Sequence, residues 1–198
     1  MNFACTVLMR YDIQTGTESE CPAKLVASPA VGESTSLCSM GHAASVRFPL
    51  SLSCCISLKL TIDPLCSPKL PITFHDKEER PAWFDIAKFP WNGIEESDEE
   101  HLLWSTRALN QIIRDERDRL IHSRRKQQNG ESPRPGTNEE REWATNRIVV
   151  GGFSQGGVMS LLAGITNEER LGGVFVVSGM LAMRDLLPEV SFLQRRNP

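Results

Sequence analysis

The chain has 198 residues, a formal net charge of −3, 40% hydrophobic and 24% charged residues. This length and balance suit one globular domain able to bury a core. A net charge so close to zero argues against a polyanion partner, and no run approaches the roughly 18–20 apolar residues of a membrane span.

The opening residues, MNFACTVLMRYD, show no basic n-region and no cleavage site, so no signal peptide is expected. A cytoplasmic setting is the expectation, with the nucleus as a second compartment. The cysteines Cys5, Cys21, Cys38, Cys54, Cys55 and Cys66 all lie in the first third. They form no C-x-x-C pair, and no histidine is spaced to complete a zinc site. Reduced thiols, no metal and no cofactor are therefore expected.

Residues 1–62 are rich in Ser, Thr, Cys and Ala and have little periodicity, so this region is expected to be irregular. SVRFPLSLSCCISLKLTI alternates like a strand in places, but Pro49 argues against a central strand. Residues 63–198 are expected to hold a partial α/β domain. DPLCSPKLPITFHDKEERPAWFDI reads as a proline-punctuated loop anchored by Trp83 and Phe84. Ser97 is a candidate N-cap, followed by Asp98 and Glu99 in the first turn and Glu100 at the capping-box position. Leu102, Leu109, Ile112, Ile113 and Leu120 then mark one helical face. QQNGESPRPGTNEE reads as a polar loop.

Three elements follow in quick succession. Ile148-Val149-Val150 predicts a short buried strand. Gln155 to Ile165 predicts a helix with Val158, Leu161, Leu162 and Ile165 apolar. GGVFVVSG predicts a second, near-continuous apolar strand. Strand, helix and strand make a βαβ unit with parallel strands.

Between the first strand and the helix lies Gly152-Phe153-Ser154-Gln155-Gly156. A Gly-x-Ser-x-Gly turn between strand and helix is a nucleophile elbow, in which a strained backbone lifts the serine hydroxyl above the sheet. Its position at a helix N-terminus places free N–H groups and the positive end of the dipole beside a developing oxyanion. Ser154 is the candidate nucleophile and the backbone N–H of Gln155 the candidate oxyanion donor. A glycine-rich packing turn is the competing reading. A phosphate loop is disfavoured, because the Gly-Lys-Ser/Thr ending and the Gly-x-Gly-x-x-Gly spacing are both absent.

NRIVVGGFSQGGVMSLLAGIT resembles the nucleophile region of acyl-protein thioesterases, in the phospholipase/carboxylesterase branch of the α/β-hydrolases, with fungal-like wording. RPAWFDI, ESDEEHLLWSTRALNQII and LGGVFVVSGML resemble further segments of that family, so the likeness covers roughly residues 63–183. It implies a doubly wound, mostly parallel sheet, here missing its C-terminal strands. It also implies hydrolysis of thioesters on S-acylated proteins, or of small acyl esters and lysophospholipids.

Two family features have no match. The His-Gly-x-Gly-Asp segment, which by the resemblance supplies a second oxyanion donor, is replaced by GHAASVRFPLSLSCCIS, where His42 does not fit the pattern. The triad order is Ser, Asp, His, yet no histidine follows Ser154 and Asp185 is the sole aspartate beyond it. Asp185 reads as a surface residue. His75, His101 and His122 read as exposed rather than catalytic. A truncated or incomplete family member is thus expected, and an inactive fragment or pseudoenzyme is the alternative function. RDERDRLIHSRRKQQ alternates in sign and reads as a solvated helix face, so no nucleic-acid partner is expected.

Overall fold

The computed structural model describes residues 6–15, 46–51, 56–91, 98–128 and 134–184. Strands β1 (Thr6–Thr15), β2 (Val46–Ser51), β3 (Ile56–Leu65), β6 (Ile148–Phe153) and β7 (Gly173–Val177) form one sheet in the order β2-β3-β1-β6-β7. Strands β4 (Lys69–Ile72) and β5 (Glu78–Pro81) form a separate antiparallel hairpin. The helices are α1 (Glu99–Gln128), α2 (Asn138–Thr145) and α3 (Gln155–Thr166).

The predicted βαβ unit is present. β6 pairs parallel with β7 from Val149↔Gly173 to Phe153↔Val177, and α3 makes the crossover. The partial α/β class therefore holds, but the described sheet is of mixed direction and not mostly parallel as expected. β6 pairs antiparallel with β1 on its other side (Thr6↔Gly152 to Arg10↔Ile148), and β1–β3 and β3–β2 are also antiparallel. Strands thus occupy parts of the first 62 residues that the sequence pattern leaves irregular, and β3 runs across residues 62 and 63. Pro49 lies in β2 at the sheet edge, where a missing N–H is tolerated.

Two further segments differ from expectation. The stretch expected as a loop before Trp83 contains the β4–β5 hairpin, closed by a 3-10 turn over Thr73–His75 and by Asp76 and Lys77 in left-handed conformations. The polar stretch ending in TNEE runs into α2. Thr137 caps that helix in a full capping box: its hydroxyl accepts the Glu140 N–H, and the Glu140 carboxylate accepts the Thr137 N–H. Arg125 fixes this loop to α1, forking onto Glu140 and donating to the Arg134 and Pro135 carbonyls.

The cap of α1 is Asp98. Its Oδ1 accepts the His101 N–H at 3.1 Å, and its carbonyl accepts the Leu102 N–H. Ser97 lies outside the described residues. Leu102, Leu109 and Ile113 are buried, Leu120 packs at the edge of the core, and Ile112 faces outward. These side chains meet Leu8 and Val150 of the sheet and Val158, Met159 and Leu162 of α3 in one core. In α3, Leu161 is half-buried and Ile165 exposed.

Candidate active site

Ser154 stands between β6 and α3 with φ 53° and ψ −118°. This is the left-handed half of backbone space, which a side chain adopts only when its surroundings hold it there. Two bonds do so. The Ser154 N–H donates to the Val177 carbonyl at 2.9 Å, continuing the β6–β7 pairing, and its carbonyl accepts the Val158 N–H at 3.1 Å. Close packing holds the turn from behind. A Cβ on Gly157 would lie 2.8 Å from Val176 Cγ1 and 3.1 Å from the Gly152 carbonyl oxygen, so α3 can sit this close to the sheet only with glycine there.

A serine at a helix N-cap ordinarily spends its hydroxyl on a backbone N–H. Ser154 makes no such bond, and its hydroxyl is left for other chemistry. The helix end is also electrostatically open. α1 and α2 carry glutamates in their first turns, whereas α3 has no acidic residue there. The positive end of its dipole is uncompensated by its own side chains. As the first residue of α3, Gln155 contributes one of the N–H groups that have no partner within the helix.

Ser154 and Gln155 line a cavity of about 810 Å³. Its walls are mostly apolar, with Ile72, Phe84, Ile86, Trp91 and Val158 prominent and Phe74, Phe89, Phe153 and Met180 exposed. Arg80 is the cationic lining residue, and its guanidinium is forked onto Glu78, whose carboxyl it holds below the usual range.

The Trp83–Phe84 segment is held in place by side chains. Gln155, buried at 5% exposure, accepts the Trp83 N–H on Oε1 at 3.0 Å and donates from Nε2 to the Phe84 carbonyl at 2.9 Å. Ser105 of α1 donates to the Trp83 carbonyl, and Asp98 accepts the Asp85 N–H. The expectation that Trp83 and Phe84 are apolar anchors agrees with their burial. The side-chain role of Gln155 has no periodic signal, because its partners lie 72 and 71 residues upstream.

The histidines separate clearly. His75, half-buried, lines the same cavity as Ser154 and packs edge-on against Phe74. His101 Nδ1 lies 2.6 Å from Asp98 Oδ2 at the start of α1. His122 lines a second, polar cleft among Arg114, Arg117, Arg125, Arg134 and Arg141. His42 and Asp185 lie outside the described residues. Among the described residues, no side chain hydrogen-bonds the Ser154 hydroxyl, no cluster of His, Cys, Asp or Glu would hold a metal ion, and no helix is long and apolar enough to cross a membrane.

The family described as Phospholipase/Carboxylesterase matches residues 62–196. Acyl-protein thioesterase 1 of Emericella nidulans is 33% identical over 141 residues, covering 67% of this chain and 49% of that protein. Acyl-protein thioesterase 1 of Mycosarcoma maydis is 37% identical over 122 residues, covering 60% and 43%. A solved structure of SOBER1 from Arabidopsis thaliana is 24% identical, covers 63% of this chain and 49% of that one, and superposes with a TM-score of 0.46. The chain spans about half the length of the curated relatives it matches. The family match across residues 62–196, a span that contains the strained serine turn between β6 and α3, places the chain in the phospholipase/carboxylesterase family.

Proposed function

We propose that Ser154 is the nucleophile of a thioesterase- or carboxylesterase-type serine hydrolase acting on S-acylated proteins, or on small acyl esters and lysophospholipids. The observation that carries this reading is the serine at φ 53° that makes no cap bond with its hydroxyl and lines a mostly apolar cavity. In the proposed reaction, Ser154 Oγ attacks the acyl carbonyl carbon, and the Gln155 N–H receives charge on the carbonyl oxygen. The thiolate or alkoxide leaves with a proton, and water then releases the acid from the acyl-enzyme. The cavity suits the acyl chain, because burying each methylene is favourable by about 0.8 kcal/mol.

A serine hydroxyl is a weak nucleophile without a general base. A second reading is a module that holds acyl groups without turnover, favoured by the mostly apolar cavity beside Ser154. An alkyl fluorophosphonate separates the two. Attack by Ser154 Oγ forms a P–O bond and expels fluoride as the P–F bond breaks. The expected result is a mass increase on the Ser154 peptide that is absent from Ser154→Ala. A folded protein that stays unmodified would leave the binding module standing.

A further inference from the structure

The nucleophile turn and the groove wall are joined through one side chain. Residues 82–84 belong to no strand or helix, although Ala82, Trp83 and Phe84 are all buried. Backbone groups buried in such a segment have no ladder to satisfy them and must find partners elsewhere. The Gln155 carboxamide supplies two of those partners, one as acceptor and one as donor. Ser105 and Asp98 hold the same segment from the α1 side. Ala82 and Phe84 line the cavity together with Ser154. The residue whose main chain begins α3 at the nucleophile thus also sets the position of the wall facing it.

The chemistry is particular to glutamine. A carboxamide offers a donor and an acceptor in one planar group, whereas a carboxylate offers acceptors alone and a thioether neither in useful strength. We propose that the Gln155 side chain is a positioning residue that fixes the apolar wall relative to Ser154, and so sets the preference for long over short acyl chains. The inference rests on the reading of Ser154 as nucleophile. A short acyl group reacts at Ser154 without reaching the wall. A long one gains its binding from the wall and loses it when the wall moves.

The test uses the full chain with Gln155→Met, and with Gln155→Glu as the milder variant. Each is reacted with an ethyl and with a hexadecyl fluorophosphonate, the rate of Ser154 modification is read by mass, and amide exchange at Trp83 is followed in parallel. In Gln155→Met the hexadecyl rate should fall about tenfold more than the ethyl rate. Trp83 exchange should rise about tenfold while exchange at Leu109, in the middle of α1, stays unchanged. Gln155→Glu keeps the acceptor for the Trp83 N–H and should show a smaller bias. If Gln155→Met does not fold, Gln155→Glu with Ser105→Ala, which releases the wall from α1, decides the matter by the same chain-length bias. Equal loss with both probes in a folded variant, or unchanged Trp83 exchange, overturns the proposal. A parent protein unreactive to both probes overturns the nucleophile reading and the chain-length role with it, while Trp83 exchange still reports whether the clamp exists.

Discussion

Arg10 Nη1 lies 2.5 Å from Glu116 Oε1, joining β1 to α1 across 106 residues of sequence. The same nitrogen is 3.1 Å from Asp63 Oδ2, so two carboxylates compete for one guanidinium. Arg119 holds the other oxygen of Glu116. Burial pushes the Glu116 carboxyl up to about 7, against the pull of Arg10 and with a further push from Asp63.

This arrangement gives a signed pH dependence. The folded value lies above the unfolded one, so the folded protein holds this proton more tightly. The associated stability is complete below about pH 4.5 and is lost as pH rises through about 7, by roughly 3 kcal/mol at most. Glu116→Gln fixes the neutral form and should flatten the decline in urea midpoint over that window. A variant whose midpoint falls as steeply as the parent's would assign the slope to other groups.

The backbone at Ser154 predicts a stability difference between two variants. Ser154→Ala keeps a side chain at φ 53°, whereas Ser154→Gly removes the conflict between Cβ and the backbone. Strain of this kind is worth about 1–3 kcal/mol, less about 0.5–1 for the extra freedom of glycine in the unfolded chain. Ser154→Gly should therefore be more stable than Ser154→Ala by about 1 kcal/mol in denaturant unfolding. The reverse order would show the turn to be unstrained.

Two glycines flanking the same turn should differ in their tolerance of alanine. At Gly157 the added carbon would meet Val176 Cγ1 at 2.8 Å and main-chain atoms of Gly152 and Gly179 at 3.1 and 3.4 Å. Main chain cannot step aside, so Gly157→Ala should cost about 1–3 kcal/mol and slow Ser154 labelling. At Gly151 the nearest obstacles are atoms of the Phe175 ring, and Phe175 is only half-buried on the edge strand of the described sheet. Gly151→Ala should displace that ring and leave labelling closer to the parent rate. Equal labelling losses in the two variants would undo this distinction.

What the sequence made legible follows the range of the interactions concerned. The βαβ unit and the buried face of α1 are written in local periodicity, and the structure contains both. At the start of α1, Asp98 accepts the His101 N–H, a capping bond that a sequence reading does not single out, because Ser97 and Asp98 are both residue types favoured there. Helix α2 carried a readable signal, Thr137 followed three residues later by Glu140, inside a stretch that proline and glycine made look like a loop. Strand β1 is hidden for another reason. Its partners β3 and β6 lie far away in sequence, and strand formation depends on those partners more than on propensity. β3 pairs with nearby β2 and falls largely in the stretch whose alternation reads like a strand. The Gln155 clamp is hidden in the same way, because nothing near residue 155 announces that Trp83 waits for it.

The β1–β6 pairing also has a consequence for how the chain acquires its shape. Its partners are separated by about 140 residues, and contacts of such long range slow folding because the intervening loop must close before they form. On a ribosome, β1 is made about 140 residues ahead of β6 and stays without it over that interval. The strand that leads into Ser154 is therefore the one whose arrival joins β1, β2 and β3 to β7. A ribosome-bound chain arrested before residue 148 should leave the β1 edge open to pairing with another chain.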